Sequence, residues 1–417
     1  MNNNNFFKFW YLLIIFYSDV LIAKKYIKKK CAIDFNKDYV NQVAWFKIDS
    51  LQKVLLDNPE ILYTKIIEPL DFEYSKFDYT NKFPHKGSFK ELFILSIPQG
   101  VVQGNEGYVF IHDRMIEELI WRQRYDNFYK FIYKKYDFIP LSIPGRVAVI
   151  AQQGGDHYFH FVYESLGRLA LLEIAEIEYD KLYVFSDKKH IRDLLDLWGI
   201  ENHKIIIPHD DKFTLRAEEL IVPSLVIDTD VGYNFAGLFI NPTIINYVRK
   251  KLLNSLEQKN LIYNNACKKI FISRKDGNFP RKILNEDEVF ALFEAKGFRR
   301  YVLSEMSIYE QINLFANADI VVSEHGAGLT NILFCKEKTK IVEIFHSLID
   351  NAYWMTSQVL GLDYKPYLVA PVNIRYFTDL KKYFPEYAKA GKGQTVVSLE
   401  KIKKIIEDIE GFCEESK

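Results

Sequence analysis

From residue 146 onward the chain alternates short apolar runs of strand type with stretches of helical period, in two successive blocks. The first block opens with RVAVIA, Arg146 to Ala151. It passes through Gln152-Gln153-Gly154-Gly155-Asp156 into a helical stretch, HYFHFVYESLGRLALLEIAEI. KLYVFS, KIIIP and EELIVPS read as further strands, with HIRDLLDLWGI as a helix. The second block follows NPTIINYVRKKLLNSLEQ, a helix with Pro242 in its first turn. Its strands are KKIFISR, RYVLSE, DIVVSE and KIVEIF. Its helices are NEDEVFALFEAKGF, SIYEQINLFANA, a short LTNILF and NAYWMTSQVLGL, with SLEKIKKIIEDIEGF as a final amphipathic helix. This alternation calls for parallel strands joined by crossover helices. The expected fold class is therefore α/β, with two Rossmann-like lobes facing a cleft and ligands beyond the carboxyl ends of the strands.

With 417 residues, two or three domains are expected. The texture divides the chain into a hydrophobic and basic segment (1–30), an N-terminal lobe (31–240, Rossmann-like core from about 146), a C-terminal lobe (241–400) and a C-terminal helix (401–417). Residues 31–145 read as an irregular extension, with short strands around Gly100, Gly104 and Gly107. Lys+Arg and Asp+Glu balance at 55 each, so there is no global positive field and no dedicated nucleic-acid binder is expected. The cysteines, Cys31, Cys267, Cys335 and Cys413, show no CxxC spacing and do not make a cysteine-rich zinc site. Residues 6–23 are mostly apolar, but they contain Lys8 and Asp19 and run into a lysine cluster at 24–30. A helix packed on the protein, or lying on a membrane surface through residues 6–30, is the plainer reading than a span or a signal peptide. The expected location is cytoplasmic or membrane-associated, with the ER or Golgi lumen as the alternative.

Three constellations could carry chemistry. In VVSEHGAGLTNILF, a strand runs into His325-Gly326-Ala327-Gly328 and a helix opens near Thr330-Asn331. Small residues admit a close ligand, and the N–H groups of an opening helix favour an anion. A tight turn with a satisfied histidine is the plainer alternative. In ISRKDGNFPRKILNEDE, Ser273-Arg274 end a strand and Arg281 follows a Gly/Pro loop, a pairing of guanidinium groups that suits a pyrophosphate. Solvated arginines, with Asn285-Glu286 simply starting the next helix, are the alternative. In GGDHYFHFVYESLGRL, His157, His160 and Glu164 share a helical face, so His160 or Glu164 could take a proton from a hydroxyl, or the trio could bind a metal. Core histidines with a surface glutamate are the alternative. Glu343, inside KIVEIF, is placed to accept ribose hydroxyls, or else is a buried ion-paired carboxylate. Asp228-Thr229-Asp230 spells a metal-type Asp-x-Asp, a sequence common by chance.

In this order the segments resemble glycosyltransferase family 61, the large DUF563 group. That family includes plant xylosyltransferases and animal protein O-linked N-acetylglucosaminyltransferases. The resemblance covers about residues 150 to 346 and joins HYFHFVYESLGRL, ISR to NEDE, Gln311 in SIYEQINLFANA, and HGAGLTNILF with IVEIF. Where the family usually has Leu-Pro-Arg, this chain has Leu166-Gly167-Arg168, and Phe161 replaces a Trp.

The resemblance implies a GT-B architecture and an inverting transfer from a UDP-sugar, of the xylose or N-acetylglucosamine class. The acceptor would be a hydroxyl on a glycan, lipid-linked saccharide or protein, with no cofactor and no essential metal. It puts the acceptor on the N-terminal lobe and the nucleotide sugar on the C-terminal lobe. Glu164 or His160 would be the base. Ser273, Arg274, Arg281, Asn285, His325, Gly326, Ala327, Gly328, Thr330 and Asn331 would hold the nucleotide, with Glu343 on the ribose. Two other classes compete: a silent nucleotide- or glycan-binding scaffold, and a metal-dependent transferase using Asp228/Asp230 or His157/His160/Glu164.

Overall fold

The Val, Ile and Phe runs pair into two principal sheets in the computed structural model. It describes residues 46–77, 83–120, 140–228, 239–262, 267–275, 282–346, 348–369, 373–374 and 394–414. The first sheet contains β1 (Leu62–Ile67), β2 (Leu92–Pro98), β3 (Val101–Gln103), β4 (Tyr108–Phe110), β5 (Leu141–Val149), β6 (Lys181–Tyr183), β7 (Ile205–Ile206) and β8 (Thr214–Pro223). Its order is β7-β6-β5-β8-β2-β1, with β3 and β4 attached along β8. Strands β5 to β8 are parallel, as the alternation predicts. β2 and β1 extend the sheet in antiparallel fashion. The region read as an irregular extension thus completes the first sheet. Period alone reveals a strand but not its partner 120 or more residues away.

The second sheet is wholly parallel. It contains β9 (Lys269–Ser273), β10 (Arg299–Val302), β11 (Ile320–Glu324), β12 (Lys340–Phe345) and β13 (Asp363–Leu368), in the order β10-β9-β11-β12-β13. In both sheets the strand order reverses once, between β5 and β8 in the first and between β9 and β11 in the second. A doubly wound sheet opens its ligand crevice at such a reversal, because the flanking crossovers leave in opposite directions.

Helices cover both sheets. α1 (Tyr158–His160) and α2 (Leu166–Ile174) are joined by a π-helical turn, Phe161–Ser165. α3 (Lys189–Trp198), α4 (Pro242–Gln258), α5 (Glu286–Glu294), α6 (Ile308–Asn317), α7 (Ala352–Leu360) and α8 (Leu399–Glu414) follow. Local signals set their starts. Asn241 accepts from Thr243 N at 2.9 Å with Pro242 in the first turn of α4, and Ser307 and Glu310 form a reciprocal capping box on α6.

A single apolar cluster joins the two sheets. It runs from Leu166 and Leu169 of α2 through Ile244 and Val248 of α4 to Ile312 of α6 and Leu329 and Ile332 beyond β11. Each fully buried side chain of this kind contributes about 1.5–3 kcal/mol, so α4 is a principal bond between the halves. On the far face of the second sheet, Phe271 and Val322 meet Phe293 of α5 and Ile405 of α8. Among the described residues no helix is long and apolar enough to cross a membrane. The apolar and basic segment at 1–30 lies outside the described residues. Cys267 and Cys335 are buried, and neither forms a disulfide among the described residues.

Candidate active site

The carboxyl ends of β9 and β11 meet at the reversal of the second sheet. Arg274 follows β9 directly, and its Nη1 donates to the carbonyl of His325, which follows β11. The guanidinium lies over Gly326, where a β-carbon would collide with it. Glycine is required here for space rather than conformation, since its φ of 169° is ordinary extended backbone. A β-carbon at Gly328 would come within 3.0 Å of Leu303. The strand end is braced from below by Glu286, which accepts from Ser273 Oγ at 2.6 Å and from Arg274 N at 3.2 Å. Burial raises the Glu286 carboxyl above its ordinary value, and the Ser273 hydrogen bond works the other way.

Two histidine–glutamate pairs straddle this sheet edge. In the parallel register of β11 and β12, Ser323 pairs with Glu343 and Glu324 with Ile344. Side chains alternate faces along a strand, so the continuing residues put His325 and Glu343 on one face, Glu324 and His346 on the other. His325 Nδ1 lies 2.6 Å from Glu343 Oε1, and Tyr364 donates to Glu343 Oε2 at 2.5 Å. The His325 ring stacks on Phe345. On the opposite face His346 Nε2 lies 3.0 Å from Glu324 Oε2, while Glu324 Oε1 and His346 Nδ1 have no hydrogen-bond partner among the described residues.

This arrangement changes the role expected of Glu343. The side chain is fully buried with both oxygens engaged, so it orients His325 instead of reaching a ribose. Burial raises its carboxyl above the ordinary value, against the pull of the His325 hydrogen bond. The helix expected to open near Thr330 is a 3-10 helix, Ala327–Phe334, with Thr330 and Asn331 fully buried a turn inside. The backbone left at the strand end is therefore that of Gly326 to Gly328. Eight successive residues from Ala327 are apolar or small, and they suit a buried tight helix better than an exposed one.

His160 and Glu164 do come together. Nδ1 of His160 is 2.5 Å from Glu164 Oε1. Glu164 is almost entirely buried, and His160 keeps a 17% exposed side chain. The π-helical turn between them is the kind of local irregularity that clusters at functional sites. His157 stands apart: it precedes α1 in extended conformation, its side chain is 59% exposed, and its ring centre is 6.4 Å from that of His160. Among the described residues no three His, Cys, Asp or Glu side chains converge as a metal donor set. Arg281 and Asp230 lie outside the described residues, and of Asp228 only the backbone, paired with Phe239, is described.

Arg168 has a structural task. Its Nε and Nη2 donate to Pro223 O, at 3.0 and 2.6 Å, and Nη1 donates to Ala151 O at 2.8 Å. It therefore clasps the ends of β8 and β5 across the first reversal. Burial pulls its pKa down to about 9, and Glu164 pulls the other way, so it stays charged at neutral pH. Gly167 is explained by packing. A β-carbon there would lie 2.8 Å from Val226 Cγ2 and 2.9 Å from Ile244 Cγ2.

The two half-sites are tied directly. Tyr158, at the start of α1, donates to Asn331 Oδ1 at 2.7 Å, and Asn331 Nδ2 donates to Gln311 Oε1 at 3.1 Å. Gln311 in turn donates to Leu303 O at 2.8 Å. Tyr163 meets Thr356 Oγ1 at 3.1 Å. Asn331 is thus a strut between the halves. Asn285 is a strut of another kind, exchanging hydrogen bonds with Val397 at 3.0 and 2.9 Å. Tyr158, Glu286 and His346 were not singled out by the sequence reading. Position at a strand end could have suggested His346, while Tyr158 carries no local signal.

Residues 158–342 match the family described as Glycosyltransferase 61. Through this region the chain is similar to glycosyltransferase family 61. An EGF domain-specific O-linked N-acetylglucosamine transferase of Drosophila melanogaster is 32% identical over 88 residues, 20% of this chain and 17% of the relative. Its Mus musculus counterpart is 33% identical over 100 residues, 22% of this chain and 19% of the relative. Beta-1,2-xylosyltransferase RCN11 of Oryza sativa subsp. japonica is 29% identical over 101 residues, 20% and 19% of the respective chains. The chain therefore spans less than a fifth of the length of these relatives. The family 61 region takes in both half-sites, from Tyr158 to the strand that carries Glu343.

Proposed function

We propose that the protein is an inverting glycosyltransferase of GT-B type that moves a sugar from a UDP-sugar to an acceptor hydroxyl without an essential metal. The observation that carries this reading is the Arg274–His325–Gly326 contact at the reversal of the second sheet, taken together with the His160–Glu164 pair. The names of the relatives support a sugar donor and a glycan or protein acceptor, with N-acetylglucosamine and xylose as the sugar classes to test first.

In the proposed reaction Arg274 and the N–H groups of Gly326 to Gly328 receive the pyrophosphate. They offset the negative charge that grows on the departing UDP, the task a metal ion performs elsewhere. Arg281, which lies outside the described residues, keeps the phosphate role that the family resemblance implies. Across the cleft Glu164 fixes the His160 ring through Nδ1, the tautomer in which Nε2 carries the basic lone pair. His160 is then the base that removes the acceptor proton, and Glu164 is its positioning residue. The acceptor oxygen forms a bond to the anomeric carbon as the bond to UDP breaks on the opposite face. A single displacement of this kind inverts the anomeric centre.

The test is a thermal-shift series with UDP, GDP, CMP and their sugar conjugates, each with and without EDTA. A ligand that binds only the folded state raises the midpoint by mass action. UDP species should raise it equally in both conditions. A shift lost in EDTA would overturn metal independence. No shift with any nucleotide would favour a silent scaffold.

A further inference from the structure

The two half-sites are also joined ring to ring, through α7. The Tyr353 ring lies 5.7 Å from the His325 ring, centre to centre, and 5.9 Å from that of Phe159, which meets it edge-on at 85°. Phe159 in turn stands 5.2 Å from the His160 ring, at 88°. We propose that Tyr353 is a positioning residue: through Phe159 it sets the His160 ring according to whether a nucleotide diphosphate occupies the Arg274–His325 loop. This assignment rests on the transferase reading above, and it adds a residue that lies beyond the 158–342 family match.

Helical geometry places these rings. Tyr353 and Trp354 stand in the first turn of α7, and successive helical residues point about 100° apart. Trp354 packs in a different apolar cluster from Tyr353. It meets Phe77 at 6.0 Å and Tyr74 at 6.2 Å between ring centres, which anchors α7 on that side. Tyr353 and Phe159 are 3% and 8% exposed, so both rings are enclosed by protein. Closely packed interiors transmit a displacement instead of absorbing it. Burial pushes the Tyr353 phenol well above its ordinary value, so this side chain acts by shape and not by exchanging a proton.

Both ends of this chain of rings can respond. At the loop end, Arg274 Nη1 donates to the His325 carbonyl. A pyrophosphate offers that nitrogen a charged acceptor, and charge-assisted hydrogen bonds are the stronger kind. Moving Nη1 from the carbonyl to a phosphate releases the backbone that carries the His325 ring. Glu343 holds that ring through Nδ1 and Phe345 stacks on it at 5.3 Å, so the change is passed to Tyr353. At the base end, Phe159 and His160 belong to the three-residue α1, which the π-helical turn Phe161–Ser165 separates from α2. Such a turn interrupts the regular ladder, so α1 adjusts without moving α2. Displacement at the anomeric carbon needs base and leaving group aligned, and an error of about 1 Å costs about 10²-fold in rate. A donor that sets its own base through Tyr353 secures this alignment when the loop is filled.

The experiment is NMR of isotope-labelled histidine in the full chain, titrated with UDP. Nine histidines give a sparse spectrum, and His160→Ala and His325→Ala assign the two signals. UDP should shift both signals in the wild type. In Tyr353→Leu the His325 shift should remain and the His160 shift should be lost, while Tyr353→Phe, which keeps the ring, should behave as wild type. Phe159→Leu should match Tyr353→Leu, and it decides the matter if Tyr353→Leu does not fold. A His160 signal that ignores bound UDP in the wild type, or that still responds in the leucine variants, overturns the positioning role and leaves the transferase reading standing. Loss of the response in Tyr158→Phe with its retention in Tyr353→Leu assigns the role to the Tyr158–Asn331 strut and also overturns it. If UDP neither moves a histidine signal nor raises the unfolding midpoint, the transferase reading falls together with this inference.

Discussion

At the β9–β11 reversal the chemistry is a guanidinium laid over a glycine loop, braced by a buried carboxylate. At the β5–β8 reversal it is amides, a phenol and one carboxylate, with the local guanidinium spent on backbone carbonyls. The two sheets share a topological device and differ in the charge left over at it. Arg274 bonds one carbonyl through one nitrogen, whereas Arg168 is saturated by the strand ends it clasps. The same residue type is therefore a proposed ligand group in one place and a structural clamp in the other. What separates them is burial and the number of nearby acceptors, and neither is visible in a motif.

Substitutions that act on one side only would sharpen this contrast. The largest effect is expected at His160. In the proposed reaction His160→Ala lowers turnover about 10²–10⁴-fold with UDP affinity unchanged, and Glu164→Gln lowers it less. Steady-state kinetics beside calorimetric UDP titration will show the split. Equal loss of UDP binding in His160→Ala would erase the distinction between the two sides.

Arg274→Ala should show the reverse pattern. Loss of charge-assisted hydrogen bonds worth roughly 1.5–3 kcal/mol weakens UDP by about 10²-fold or somewhat less, and Arg274→Lys restores only part of it. UDP affinity within twofold of wild type in Arg274→Ala would sink the pyrophosphate assignment.

Tyr158→Phe tests the strut between the regions. It leaves the buried Asn331 Oδ1 without its donor, so unfolding in urea should show a loss of about 1–3 kcal/mol. A smaller loss of turnover should accompany it, since α1 is then less firmly held against the loop. No change in stability would mean that the halves are joined by α4 alone.

The smallest effect is a pH dependence at Glu286. Its carboxyl is raised by burial, so the folded state holds the proton more tightly than the unfolded state does. The stability this group contributes is complete below its ordinary value of 4.5 and is lost as pH rises through the folded value. Stability of the wild type relative to Glu286→Gln should therefore decline as the pH is raised above 4.5. A difference that grows with pH would show that the Ser273 and Arg274 hydrogen bonds outweigh burial.

Much of the fold was legible because it rests on local rules. The alternation from Arg146 onward located the helices and all but one strand of the two parallel sets, missing β13 (Asp363–Leu368), and Ser307, Asn241 and Pro242 marked helix starts by their own chemistry. The role of β1 and β2 was not legible, because the antiparallel pairing of β2 to β8 joins residues far apart in sequence and β1 enters the sheet only through β2. The site divided in the same way. His160 and Glu164 lie four residues apart and meet within one helical stretch, as spacing suggests. His157 shares the nominal face, yet the helix starts after it and leaves it in solvent.

Sequence by itself determined the α/β class, the family 61 region and the short-range pairing of His160 with Glu164, because these depend on period, on ordered motifs and on separations of a few residues. The tertiary structure alone decided that Glu343 serves His325, that Asn331 serves Tyr158, and that Arg168 is a clamp. Each of those outcomes depends on which oxygen or nitrogen is already hydrogen-bonded by a residue distant in the chain, and only folding brings those partners within reach.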